Sequence, residues 1–292
     1  MASKKTKLPT FHTDQEERNF WSRHSVEEFA EGLRDLDVMI QPTRINDIDR
    51  VHEFEEANYQ TARKALGDTV YLAEELVDLY NLLSHMIKDS GVGPRDEIIA
   101  ASQFLLACRY QLVMGALTLL RGHLSDSHYY TRKAIEFCAF AARVKKHPHL
   151  AMVWLEAAKD EASYEKYREK FGPSKLFPDD HAILGKLWDR YDICSKHSHP
   201  SLYSIARHVE TERTATDFQI RFNYFELKSD DHSEPARTFL WTVDTHFGIL
   251  RVFEEVLADV IAHDRKKWEI QQNAVDGKLA VHKERWKSVI LS

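Results

Sequence analysis

The sequence predicts an all-α protein, a multi-helix bundle with one short extended segment and an N-terminal helical arm. Apolar residues recur at spacings of three and four along most of the 292 residues, which is the pattern of a buried helical face. The most apolar stretch, 94–147, predicts two long helices joined by a short polar turn. No fixed period repeats along the chain, so a regular solenoid is not expected.

Composition limits the classes of function. The chain has 40 Lys and Arg against 46 Asp and Glu, for a net charge of -6, which argues against a protein that binds nucleic acid with its whole surface. A local basic groove for RNA remains possible. No apolar run approaches ~20 residues without a charge, so no membrane span is expected. The three cysteines fall within apolar helical patterns, as core residues of a cytoplasmic protein do.

The arm comprises residues 1–45. Two capping boxes, in which a hydroxyl residue precedes Glu by three positions, begin short helices near residues 14 and 26. An extended stretch is expected at 37–41. The arm displays apolar rings that a partner could bind, and these are Phe11, Phe20, Trp21 and Phe29.

The main helical domain is predicted at 46–265 and a charged, solvated helix at 266–292. Within the domain, Ser125 is the expected N-cap of the second central helix. Helices are predicted at about 46–66, 69–88, 95–123, 126–147, 150–158, 160–171, 178–196 and 235–263. The aromatic stretch 218–228 partly alternates and predicts the extended segment, with a loop at 211–217 before it.

Residues 8–42 resemble the N-terminal segment of CopG/BrnA-type antitoxins, in which a Phe and an acidic helix lead through Phe-Trp to a second capped helix. The resemblance covers about an eighth of the chain. Those antitoxins continue into a ribbon-helix-helix DNA-binding module, whereas a helical domain follows here, so DNA binding is not implied. The resemblance implies that the arm binds a protein partner; alternatively, the arm packs on its own chain.

The sharpest candidate for chemistry is Arg190 followed by His197. Seven positions place the two residues about two helical turns apart on nearly one side of a helix. An imidazole can move the proton of an RNA 2′-hydroxyl, and a planar guanidinium can hold the scissile phosphate as its charge grows. Such a reaction needs no metal or cofactor. In the alternative interpretation, His197 and His199 only complement the dipole of a helix C-terminus.

Residues 95–265 resemble the HEPN superfamily through Arg132-x-x-x-Glu136 and through Ser195-x-x-x-His199-Pro-Ser. The resemblance implies a HEPN-like bundle, a homodimer and a metal-independent RNase of a toxin-antitoxin or phage-defence system. Many HEPN RNases carry Arg-x(4 to 6)-His, a spacing that Arg190 and His197 meet. The His-Pro-Ser match instead indicates His199, so the choice between the two histidines stays open.

The remaining candidates bind substrate or stabilise the fold. Arg132 and Glu136 could contact RNA, or form a buried ion pair. Arg109 could share that pair or extend to the surface, and Ser195 belongs to the HEPN-like motif. No phosphate-binding loop or metal motif is present. The alternative to the RNase is a non-catalytic helical module that binds a partner through its arm.

Overall fold

The computed structural model describes residues 39–42, 48–172, 177, 182–198, 208–213, 218–223, 225, 226 and 233–291. By their contacts, residues 1–44 and 209–223 form one compact unit, and residues 45–208 and 224–292 form another. His199 and the arm residues Phe11, Phe20, Trp21 and Phe29 lie outside the described residues.

The first unit contains a three-stranded sheet in the order β1-β3-β2. Strand β1 (Met39–Pro42) runs parallel to β3 (Phe218–Phe222), and β2 (Val209–Arg213) runs antiparallel to β3. Strand β3 lies at the start of the stretch for which the sequence predicts an extended segment. The loop prediction is wrong for residues 211–213, which belong to β2. That strand is mostly polar, so it is defined by its pairing with β3 and carries no apolar alternation.

The second unit is all-α in its described part. Its helices are α1 (Ile48–Leu66), α2 (Tyr71–Asp89), α3 (Asp96–Leu120), α4 (Leu124–Lys146), α5 (Leu150–Leu155), α6 (Glu161–Phe171), α7 (Ala182–Ser198), α8 (Ser233–Val256), α9 (Ala258–Ile261) and α10 (Arg265–Leu291). Short 3-10 turns, Gly67–Val70 and Ala262–Asp264, precede α2 and α10. Gly67 follows α1 with a φ of 55°, the left-handed geometry that glycine adopts without strain.

The two central helices organise this unit. Helix α3 packs against α2, α4, α5 and α8, while α4 packs against α3, α7 and α8. Phe104, Leu105, Cys108 and Leu112 of α3 are at most 1% exposed. By length and composition, α3 is the one described helix that could cross a membrane, but its neighbours are those of a core helix. The predicted central pair is therefore the centre of the core.

The polar turn before α4 corrects one sequence prediction. Helix α4 begins at Leu124 with His123 as its N-cap, so Ser125 lies inside the first turn. Ser125 donates from its backbone N and its Oγ to the two carboxylate oxygens of Glu226, each at 2.8 Å. The Glu226 side chain is 2% exposed, and His208 Nε2 lies 3.5 Å from it. The group that caps α4 therefore comes from a residue 101 positions away.

The end of the chain corrects two further predictions. The single helix predicted at 235–263 is interrupted at Leu257, which separates α8 from α9. Helix α10 packs against α2 and α8, and Trp268, Val275 and Leu279 are at most 3% exposed, so this helix is solvated on its outer side only. The polar residues Gln272 and His282 are buried together with these three apolar residues. Because two of the buried positions are polar, the sequence shows only a weak apolar pattern for this helix.

Candidate functional site

Helices α4 and α7 meet along a polar seam, defined by His128, Arg132 and Glu136 of α4 and Tyr191 and His197 of α7. The three α4 residues are spaced by four, so they follow one another on one face of the helix at about 6 Å per step. Between the two α7 residues lies the buried Cys194. Burial raises the pKa of its thiol, so the group stays protonated and inert near neutral pH.

At one end of the seam, two cations share one carboxylate. Arg132 Nε lies 3.2 Å from Glu136 Oε1, and Lys133 Nζ lies 2.9 Å from Glu136 Oε2. Arg132 also donates to the Tyr191 hydroxyl at 3.1 Å, and its guanidinium carbon lies 5.2 Å from the centre of the Tyr191 ring. The side chains of Arg132 and Glu136 are only 17% and 14% exposed. The predicted ion pair thus exists, and it is bound to α7.

At the other end, two imidazoles are stacked. The rings of His128 and His197 have centroids 4.5 Å apart and planes 21° apart. The His128 ring also meets Trp241 of α8 edge to face, with centroids 5.2 Å apart. His128 is 6% exposed, whereas His197 is half-buried. The His197 ring is therefore packed on His128, which in turn packs on Trp241.

Arg190 of α7 reaches the same tryptophan. Its guanidinium carbon lies 5.7 Å from the Trp241 ring centre, and its Nη1 donates to Thr245 Oγ1 at 2.6 Å and to the Trp241 carbonyl at 3.3 Å. Its Nη2 forms an ion pair with Asp244. Nε–H and the second Nη2–H have no hydrogen-bond partner among the described residues. The guanidinium is thus fixed in place and keeps two donors.

Asp244 is the counter-ion of this part of the site. It contacts Arg190 through one oxygen and Lys283 of α10 through the other. Burial of Asp244 acts to raise the pKa of its carboxyl, but hydrogen bonds from Lys283 and Arg190 outweigh that effect and lower the pKa. Two cations against one carboxylate leave a surplus positive charge beside Trp241.

Arg190 and His197 therefore reach one cluster, in which Trp241 contacts Arg190 and His128 contacts both Trp241 and His197. Their catalytic role stays a prediction. Sequence reasoning did not assign Trp241, Asp244 or His128 to this site. The spacing of four that joins His128 to Arg132 could have indicated His128, whereas no local signal links α7 to α8.

Two other candidates make contacts elsewhere. Ser195 donates its Oγ to the Tyr191 carbonyl at 2.8 Å, a contact within α7 itself. Arg109 lies half-buried on α3 and makes no ion pair with any described residue, so it does not share the Arg132–Glu136 pair. Among the described residues, no group of three His, Cys, Asp or Glu side chains could hold a metal ion.

A cleft of about 570 Å³ opens beside the Arg132 end of the seam. Its walls include Arg132, Lys133 and Glu136 of α4, Tyr167 and Arg168 of α6, and Tyr191 of α7. The volume lies within the usual range for small-molecule sites. The cleft and the Arg190 cluster share α7, where Tyr191 directly follows Arg190 in the chain.

Comparison with protein-family models, with curated proteins and with solved structures yields no match to this chain. Fold and geometry therefore define an all-α helical bundle with a small three-stranded unit. The HEPN-like relationship and the antitoxin-like arm stay predictions from the sequence.

Proposed function

We propose that the protein is a metal-independent endoribonuclease of the HEPN-like kind, acting in a toxin-antitoxin or phage-defence system. The observation that carries this proposal is the cluster around Trp241, which contains Arg190, His128 and His197. A fixed cation with two remaining donors lies there together with a half-buried imidazole. These are the groups that cleavage of RNA by its own 2′-hydroxyl requires.

In the proposed reaction, His197 accepts the proton of the 2′-hydroxyl while that oxygen attacks the adjacent phosphorus. The new P–O2′ bond replaces the P–O5′ bond, and the leaving 5′-oxygen takes a proton from the protonated imidazole or from water. The products are a 2′,3′-cyclic phosphate and a 5′-hydroxyl, and no electrons are exchanged. Arg190 donates Nε–H and Nη2–H to the phosphate oxygens as charge accumulates on them.

The test is cleavage of single-stranded RNA in excess EDTA, with the ends of the products identified by mass spectrometry. We expect His197→Ala and Arg190→Ala each to lower kcat by about 100-fold or more. His199→Ala separates the two histidines that the sequence leaves open. His149→Ala, at an exposed histidine after α4, is the matched control. Full activity in the His197→Ala, His199→Ala double variant would refute the proposal.

A second candidate is a helical module that binds a protein partner. The observation that favours it is an apolar stripe on the outer face of α3, where Leu106 and Tyr110 are 52% and 55% exposed, with Ile99 and Val113 on the same face. A row of exposed apolar side chains along one helix face is a feature of interaction sites. The HEPN resemblance and the arm suggest a homodimer and a toxin as partners. Light scattering of the wild type and of Leu106→Glu tests self-association; a monomer in both would exclude the homodimer.

A further inference from the structure

Lys283 of α10 takes no part in the proposed reaction but contacts the counter-ion of Arg190. It meets one carboxylate oxygen of Asp244, while Arg190 meets the other. The pKa of Asp244 is lowered in spite of burial, so this carboxyl is ionised near neutral pH. The three side chains therefore carry two positive charges and one negative charge. Without Lys283, the remaining pair would be neutral.

Lys283 also determines how Asp244 bonds the guanidinium. A carboxylate with both oxygens free tends to accept two parallel hydrogen bonds from one arginine. Here Oδ1 is taken by Lys283, and only Oδ2 accepts from Arg190, through Nη2. Nη1 is occupied by Thr245 and by the Trp241 carbonyl, so the donors that stay open among the described groups are Nε–H and one Nη2–H. If Oδ1 were released, it could accept one of these two hydrogens.

The position of Lys283 is fixed by the residues beside it on α10. His282 Nδ1 lies 3.0 Å from Thr69 Oγ1, and Trp286 Nε1 donates to the same oxygen at 3.0 Å. Thr69 is fully buried in the Gly67–Val70 turn before α2. These contacts hold the C-terminal half of α10 on the bundle, and α10 also packs against α8. Helix α10 thus completes a charged group whose other members lie on α7 and α8.

We propose that Lys283 is a positioning residue that sets the anion affinity of Arg190. By occupying Asp244, it leaves the three-residue group with a net positive charge and the guanidinium with two open donors. The last helix thereby controls a site that lies on other helices. The assignment rests on the proposed function for the identity of the anion, the scissile phosphate of RNA. Its charge balance does not depend on cleavage.

Titration of the full chain with inorganic phosphate at pH 7 tests this role without RNA. The probe is the side-chain Nε–H resonance of Arg190 in NMR spectra of the arginine-labelled protein, assigned by its loss in Arg190→Lys. We expect Lys283→Met to weaken phosphate binding by about fivefold and Lys283→Arg to retain it. Asp244→Asn should strengthen binding. The double variant Asp244→Asn, Lys283→Met should bind about as well as the wild type, because the group again carries one net positive charge.

Lys278→Met is the matched control. Lys278 also lies on α10 and pairs with a carboxylate of the bundle, Glu75 of α2, and its side chain is exposed to a similar extent as that of Lys283. Its removal changes the net charge of the protein by the same amount but leaves Asp244 untouched. Equal losses of affinity in Lys278→Met and Lys283→Met would overturn the proposal. An unchanged affinity in Lys283→Met, or a double variant that binds as weakly as Lys283→Met, would overturn it too.

RNA cleavage by the same variants separates this role from the proposed ribonuclease function. Cleavage with a kcat/KM that does not respond to Lys283→Met keeps the ribonuclease centre and overturns the role of Lys283. Phosphate binding in the expected order without any cleavage refutes the ribonuclease and leaves Lys283 in control of an anion site. A fall in kcat/KM in Lys283→Met that Lys283→Arg prevents supports both.

Discussion

Helix α4 packs on two sides that differ in chemistry. Toward α3 and α8 it presents buried apolar residues such as Ile135 and Cys138, and toward α7 it presents His128, Arg132 and Glu136. Burying charged groups against one another rarely stabilises more than apolar packing of the same volume. The polar side of α4 is therefore the side on which we expect function, because apolar residues there would have stabilised the fold equally well. The apolar side is the one on which we expect most of the stability.

Ile135→Ala tests the apolar side and has the largest expected effect. Ile135 is fully buried, so truncation removes contacts and leaves a cavity. We expect the free energy of unfolding to fall by about 2–5 kcal/mol. Urea denaturation followed by circular dichroism measures it. A loss below ~1 kcal/mol would mean that this side of α4 is loosely packed.

A buried histidine on α8 sharpens the contrast with the histidines of the seam. His246 is fully buried, and its Nδ1 lies 3.1 Å from the Tyr80 hydroxyl. Burial lowers the pKa of His246 to about 3. The unfolded chain takes up this proton below about pH 6.5, whereas the folded chain does not until about pH 3. The stability that His246 contributes is thus complete above pH 6.5 and is lost as the pH falls toward 3.

We expect this residue to account for about 2 kcal/mol of lost stability between pH 7.5 and pH 5. His246→Gln, which keeps a polar partner for Tyr80, should remove that part of the pH dependence. His149→Ala, at an exposed histidine, should leave it in place. Unfolding free energies at the two pH values measure the difference. Parallel losses in the wild type and His246→Gln would place the proton uptake elsewhere.

How far the sequence predicts this molecule depends on the range of the interactions. The all-α class, the central pair α3 and α4, the buried cysteines and the Arg132–Glu136 pair follow from local spacing. The Glu226 cap and the Arg190–Asp244 pair join residues 101 and 54 positions apart, so no local pattern encodes them. Strand β2 pairs with residues 5 to 13 positions away, but its own sequence lacks the apolar alternation of a strand. The candidate site could therefore be half predicted: Arg132, Glu136, Arg190 and His197 were visible in the sequence, whereas His128 and the α8 residues were not.

Glu226→Gln tests whether the buried contact between Glu226 and Ser125 of α4 is purely structural. The carboxylate lies at the N-terminal turn of α4, where its negative charge complements the helix dipole. The amide keeps one accepting oxygen and loses the charge, so we expect a loss of about 1 kcal/mol. Thermal unfolding measures it, with RNA cleavage by the folded variant as the control. A change in kcat without a change in stability would connect this turn to the active site.

Glu136→Gln is the smallest change and the most direct test of the seam. Glu136 and Ile135 are adjacent in the chain but face different sides of α4, because consecutive helical residues point about 100° apart. The two variants therefore compare the two sides at the same level of the helix. Glutamine keeps an oxygen for Arg132 and Lys133 but removes a charge that is mostly buried, so we expect stability to fall by about 1 kcal/mol. Urea denaturation of the two variants side by side measures the difference. A loss of stability comparable to that of Ile135→Ala would show that the polar seam serves the fold as much as the apolar side does.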